Sequence, residues 1–275
     1  MTDLTTFWFW YFSVFVFLIG GCIGSFLNVC IYRIPREESV VAPRSHCPHC
    51  GKMIAWYDNF PFFSFLFLRG RCRQCGGPIS IRYFLVELLT AMLFLMVWFE
   101  YGFDPRTLVY WMIVGGLILG TFVDFEYMII PDRVTLGGVV AGFILSPLIP
   151  SLHGVAKPLA GLVQASIGFA AGCGILWAVG FLGKMVFKKD AMGFGDVKLL
   201  GGLGALLGWK AVLFIIMLSS LLGSVVGLIL VILRRKQLQS RMPYGPYLAL
   251  AAIIWILWGY RWWEMYFRWM SGGAF

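Results

Sequence analysis

AVLFIIMLSSLLGSVVGLILVIL, residues 211–233, runs for twenty-three positions without a charged side chain. A helix of that length rises about 34 Å, enough to cross the hydrocarbon of a bilayer. The stretch has company. Apolar segments also occupy 7–30, 83–99, 107–128, 134–150, 159–183, 197–209 and 244–263, and the chain is 60% hydrophobic and only 13% charged. No soluble domain of 275 residues needs so much apolar surface. None of the segments shows the ten-residue alternation of a membrane β-barrel. The reading is an all-α polytopic membrane protein with about eight transmembrane helices. Its sixth segment is short and glycine-rich, so the boundary between the sixth and seventh is the least defined.

Charge sets the orientation. With the loop at 31–82 placed in the cytoplasm, seventeen Lys and Arg fall on that side and five (Arg106, Lys157, Lys210, Arg261, Arg268) on the other. That imbalance implies an even number of spans with both termini outside the cytoplasm. The net charge of +9 then follows from the positive-inside bias and calls for no nucleic acid. No Lys or Arg precedes the first apolar run, so this run is expected to stay as a span rather than be removed as a signal peptide. Trp8, Trp10, Trp255, Trp258, Trp262 and Trp263 are expected as interfacial anchors at the outer face. Three regions result: a first span at 1–30, a cytoplasmic loop at 31–82 and a helical bundle at 83–275.

The loop carries CPHC (Cys47, Cys50) and CRQC (Cys72, Cys75), each followed by glycine. Two such knuckles can close a tetrahedral thiolate site, and the glycines let the backbone turn so that amides face the sulfurs. A pair of disulfides or a redox dithiol is the alternative, but disulfides rarely persist in the cytoplasm. Structural zinc on Cys47, Cys50, Cys72 and Cys75 is the expectation. His46 and His49 are left as solvated loop residues, and Cys22, Cys30 and Cys173 as small packing residues in the spans. Between the knuckles, NFPFFSFLFLRG (59–70) is too short to span and too apolar for a free loop. It packs on the zinc site or dips into the membrane interface.

Ionisable residues inside spans are costly and mark function. Asp124 lies near the cytoplasmic end of the third span, and Asp196 at the cytoplasmic start of the sixth, so both reach the same membrane face. Glu87, in the second span, and Glu126 are the other candidates, but Glu126 points about 200° around the helix from Asp124. Two aspartates at one depth can share a proton, giving one acid and one base that activate water and protonate a leaving amine. The competing reading is that each caps a helix or pairs with a cation, which suits Asp196 better than Asp124. Gly193 and Gly195 leave the backbone before Asp196 bare, so that a substrate strand can approach.

These residues match a family. GFGD (193–196) fits the GxGD signature of intramembrane aspartyl proteases. GSFLNVCIYRIPR (24–36), CPHC with LRGRCRQCGGPISIRYFLVELLTA (47–50 and 68–91), DFEYMIIPDRVTL (124–136), AMGFGDVKLLGGLGALLGW (191–209) and MPYGPYLAL (242–250) are together similar to the bacterial type IV prepilin peptidases, in their order. The resemblance implies that Asp124 and Asp196 are the catalytic pair, with Gly193, Gly195, Lys198, Pro131 and Asp132 shaping the site, and that the four cysteines hold zinc. It implies inner-membrane enzymes that cleave the basic leader of prepilins or pseudopilins after a glycine at the cytoplasmic face. They then methylate the new amino terminus from S-adenosylmethionine. Asp190 stands where many members carry Glu, and a tyrosine of PYGPY (243–247) where Phe is common.

A basic leader meets the basic loop unfavourably, so it is drawn instead by anionic headgroups or by Glu37, Glu38 and Asp132. Lys198 is expected to snorkel at the edge of its helix. No strand–GxGxxG–helix unit offers a nucleoside site. Any methylation site is therefore expected at the zinc loop and its membrane junction, including GSFLN (24–28) and LRGRC (68–72). The rival reading is a proton-coupled transporter using the paired aspartates, which calls for a matched broken helix in the other half; none is evident near 24–30 or 100–120. A zinc-bearing scaffold without chemistry leaves Asp124 unexplained.

Overall fold

The computed structural model describes residues 2–188, 192–233 and 242–271. Lys189, Asp190, Arg234, Arg235, Lys236 and Arg241, weighed above for their charge, lie outside the described residues. Among the described residues there are ten α-helices and no β-strand: α1 (Thr2–Arg33), α2 (Phe63–Phe67), α3 (Ile81–Tyr101), α4 (Pro105–Tyr127), α5 (Asp132–Leu148), α6 (Pro158–Phe187), α7 (Phe194–Leu207), α8 (Trp209–Ile232), α9 (Gly245–Ile254) and α10 (Tyr260–Met270). All eight apolar segments are helical. Five helices are long and apolar enough to cross a membrane: Phe7–Arg36, Ile81–Tyr101, Pro105–Tyr127, Pro158–Val186 and Trp209–Ile232. The sixth and seventh segments are separate helices, because Gly208 at φ 84° breaks the chain between α7 and α8. The chain packs as two compact units, Met1–Leu119 and Gly120–Phe275.

In the first unit α1 and α3 run antiparallel in a single register. Trp98 donates to the Ser13 hydroxyl at 2.9 Å, Gly20 lies against Ala91, Gly24 against Glu87, and the Asn28 side-chain amide donates to the Tyr83 carbonyl at 3.0 Å. Gly20 and Gly24 form a GxxxG pair: a Cβ on either would come within 2.7 Å of an α3 backbone Cα, so only glycine lets the helices approach this closely. Trp111 of α4 stacks on Phe94 and donates to its carbonyl at 2.9 Å.

In the second unit α7 is the central helix, buried from Asp196 to Leu207 except at Lys198. Its glycines again set the packing. A Cβ on Gly142 of α5 would strike Ala205, and one on Gly172 of α6 would strike the Leu200 carbonyl. The Ala205 carbonyl, in the last turn of α7, is taken by the Ser146 hydroxyl at 3.0 Å, and His153 holds that serine at 2.9 Å. One expectation needs correction. Trp255 is buried, because a π-turn at Trp255–Gly259 rotates it into the unit, where it packs on Phe214; Trp258 and Trp262 remain exposed. Cys22 likewise is exposed on α1 rather than packed.

Candidate active site and metal centre

Asp124 sits in the last turn of α4, and Asp196 in the first turn of α7. Both are buried, both belong to the second unit, and they are near enough for the charge of one to act on the other. Each is gripped by one backbone amide from a glycine. The Gly245 N–H donates to Asp124 Oδ2 at 3.1 Å, and the Gly193 backbone hydrogen-bonds the Asp196 carboxylate. Gly193 is the N-cap of α7 and Asp196 stands three residues on, so its carboxylate makes the return half of a capping box. The helix-capping alternative therefore holds in part for Asp196, and it coexists with a carboxylate turned toward Asp124.

Local sequence builds this arrangement. After Asp124 the helix ends on Met128 at φ 55°, whose N–H returns to the Asp124 carbonyl at 3.0 Å. Pro131, buried, caps α5 and accepts from Val134 and Thr135. The turn places Ile130 between the two glycine segments: a Cβ on Gly195 would lie 3.4 Å from Ile130 Cβ, and one on Gly245 would lie 3.1 Å from Ile130 Cδ1. A Cβ on Gly245 would also come within 2.8 Å of Asp124 Oδ2. Gly193 is exposed, and among the described residues a Cβ there would meet only the Asp196 carboxyl group. Both carboxylates thus lie under backbone without side chains. Sequence reasoning did not single out Gly245 or Ile130; the PYGPY motif was the available signal for the first.

Lys198 and Asp132 form an ion pair at 2.7 Å, with Lys198 also over the Phe194 ring. Lys198 is therefore tied across to the start of α5 rather than snorkelling freely. Asp132 lies outside the apolar run, and the Lys198 ammonium holds its carboxyl below the ordinary carboxylate range. Glu126 is exposed on the other side of α4.

The four cysteines of the first unit converge, with all Sγ atoms within 4.8 Å of one another and Cys47 Sγ 3.8 Å from Cys75 Sγ. A zinc–thiolate tetrahedron with bonds of about 2.3 Å has edges of about 3.8 Å, so the donor set fits that ion. The two knuckles are near copies. Cys47 N–H donates to the Lys52 carbonyl and Gly51 N–H to that of Cys47; Cys72 and Gly77, then Gly76 and Cys72, repeat the pattern. Gly51 and Gly76 both take positive φ, at 69° and 68°. The amides of Cys75 and Gln74 draw the Cys72 thiol down to about 6. The Gly77 amide favours the Cys75 thiolate, yet burial and the neighbouring thiols push it up to about 11. His49 is not idle: its ring covers Gly77 and reaches the Pro78 carbonyl at 3.2 Å, joining the knuckles. Asp58 clamps Arg73 with two carboxylate oxygens.

Residues 18–101 match the family model for the Bacterial Peptidase A24 N-terminal domain, and residues 111–228 match that for the Type IV leader peptidase family. Among curated proteins, the chain is 39% identical to a prepilin leader peptidase/N-methyltransferase of Aeromonas hydrophila, over 91% of this chain and 92% of that protein. It is 37% identical to the protein of that name in Pseudomonas putida, over 90% and 91% of the two chains. With the Myxococcus xanthus (strain DK1622) protein of that name it shares 40% identity over 80% of this chain and 64% of the relative. No solved structure matches the chain.

Proposed function

The chain belongs to the type IV leader peptidase family, and from that membership we infer that it cleaves the leader peptide of prepilins and N-methylates the amino terminus so exposed. The observation that supports the peptidase reading is the pair of buried aspartates, each hydrogen-bonded by the backbone of a glycine. Asp124 and Asp196 act as the catalytic dyad. One carboxylate takes a proton from water as the water attacks the scissile carbonyl, and the other, protonated, donates to the carbonyl oxygen. Collapse of the tetrahedral intermediate then sends a proton to the leaving amine. The Gly245 amide fixes one oxygen of Asp124 in place for this exchange. Gly193 and Gly195 admit the substrate backbone, Pro131 ends the turn carrying Ile130, and the Lys198–Asp132 pair ties α7 to α5.

Cys47, Cys50, Cys72 and Cys75 hold a structural zinc ion that closes the loop at 31–82. S-adenosylmethionine, implied by the methyltransferase name, supplies an electrophilic methyl group for the new amino terminus. We place that step at the junction of the zinc loop and α1. There Asn28 of GSFLN is buried and its Oδ1 has no partner among the described residues, a spare acceptor for an N–H donor. The substrates are prepilins or pseudopilins presented in the inner membrane, with the loop and the dyad at the cytoplasmic face. Nothing in the relatives supports the transporter reading.

The direct test is incubation of detergent-solubilised protein with a prepilin, read by a mobility shift on a gel. Proteolysis proceeds without sealed vesicles, whereas transport requires them. Asp124→Ala and Asp196→Ala are each expected to abolish the shift while the protein remains folded. Full cleavage by either variant would sink the assignment.

A further inference from the structure

Residues 59–68, NFPFFSFLFL, contain no charge, and their tip packs against α1 and α3. Phe62 sits against the middle of α1 and the first third of α3. Its ring stacks on Phe17 at 5.3 Å and meets Phe84 edge-on, and a Cβ on Gly21 would come within 2.5 Å of it. Gly21 lies twelve residues before the end of α1, about 18 Å along the axis. The partner on α3 is Glu87, whose Oε2 accepts the Phe62 N–H at 3.0 Å; it lies six residues, about 9 Å, beyond the start of that helix. The tip therefore lies level with the interior of the spans.

Non-helical backbone survives at that depth only if its polar groups are satisfied within the protein. Here they are. Phe60 N–H goes to the Ser64 hydroxyl, Phe62 N–H to Glu87, Phe63 N–H to Pro61, Ser64 N–H to Phe60, Leu66 N–H to Phe62 and Leu68 N–H to Ser64. Glu87 also hydrogen-bonds Ser25 of α1, so the costly carboxylate in this span has a use. Phe62 adopts φ 62°, a conformation a bulky residue takes only when its surroundings enforce it. The outer face is apolar and exposed: Phe60, Phe63, Leu66 and Phe67, the last 83% accessible. Asp58 and Arg69 mark where charge resumes on either side.

We propose that residues 60–67 are a re-entrant hairpin inserted into the leaflet on the zinc-loop side. Lipid acyl chains cover Phe60, Phe63, Leu66 and Phe67, and Glu87 is the internal acceptor that makes the insertion possible. The cysteine loop is then a membrane-embedded element and not a soluble domain resting on the bilayer. The occupant is lipid because the exposed face is apolar throughout, as are exposed Phe26 and Leu85 on the helices it packs against, and because Arg69 and Arg71 follow it directly, where they meet anionic headgroups.

The test uses the full chain in nanodiscs of phosphatidylcholine and phosphatidylglycerol. A photoreactive benzophenone amino acid replaces Phe67, and in a separate protein it replaces Lys52, which is exposed in the first knuckle. After irradiation, intact mass is expected to reveal a phospholipid adduct at position 67 and none at position 52. In the position-67 protein, Glu87→Leu removes the acceptor and is expected to lower the adduct by about five-fold or more, whereas Glu87→Gln, which keeps an acceptor, retains most of it. Absence of a lipid adduct at position 67 overturns the proposal, whatever becomes of the Glu87 variants. So does an adduct that shifts from lipid to prepilin when prepilin is added, which would make this face a substrate groove.

Discussion

Two regions of the chain hold a carboxylate beneath a backbone N–H in apolar surroundings, and they differ in what lies over it. In the first unit Glu87 accepts from Phe62, whose ring is wedged among Phe17, Gly21 and Phe84. In the second unit Asp124 and Asp196 take their amides from Gly245 and Gly193, which have no side chain of their own. The bond is the same kind in both places. Phe62 brings an aromatic ring in beside its carboxylate, whereas Gly245 and Gly193 bring backbone alone, with Ile130 packed between the glycine segments. Burial and a backbone hydrogen bond are therefore common to both regions, and the residue that donates the amide is what differs.

The largest expected effect breaks the comparison if it fails. Asp124→Asn and Asp196→Asn should each lower prepilin cleavage by about 10³-fold or more, measured as initial rates on a gel. Glu87→Gln should leave cleavage within about three-fold, since an amide oxygen still accepts the Phe62 N–H. Loss of cleavage in Glu87→Gln with normal thermal stability would place that carboxylate among the reacting groups. Next in size is Gly245→Ala, whose methyl group would press on Asp124 Oδ2 and Ile130. A displacement of this kind costs about 10- to 100-fold in cleavage rate, with the melting temperature little changed.

Smaller again is the stability change in Glu87→Leu, about 1–3 kcal/mol, from stranding the Phe62 N–H. Glu87→Gln should recover most of it in a thermal melt. Removal of zinc by a chelator, or Cys72→Ser with Cys75→Ser, is expected to impair methylation at least as much as cleavage. The readout is the mass of the mature pilin amino terminus; full methylation in zinc-free protein would separate that step from the loop. The smallest effect belongs to the Lys198–Asp132 pair. Asp132 titrates below its unfolded value, so the pair contributes above the unfolded carboxylate pKa of about 4, and this contribution disappears as pH falls through the folded value. Lys198→Ala should cost a little stability at neutral pH and nothing in strong acid, and should lower cleavage modestly by loosening α7 against α5.

Hydropathy alone located every large helix, because a run such as 211–233 has only one comfortable environment. Asp124 and Asp196 were legible for the opposite reason: charge in such surroundings is expensive enough to stand out. The knuckles were legible from spacing, since both halves of the tetrad are local. What escaped is long-range. Gly245 meets Asp124 across 121 residues, and Phe62 meets Glu87 across 25, and no periodicity encodes either contact. The GxxxG pair Gly20–Gly24 did carry a signal for the close approach of α1 to α3. Lys198 was assigned to the edge of its own helix, because its partner Asp132 lies in a different one.

Each cysteine knuckle closes on itself, with its own bridge and its own left-handed glycine. The metal is therefore indifferent to how many residues join the two halves. Among descendants of this sequence, the stretch from Asn59 to Leu68 can lengthen or shorten by mutation without touching either knuckle's own closure. Selection on its length acts through how far the tip reaches, and the loop becomes a gauge that evolution can reset against membranes of different thickness.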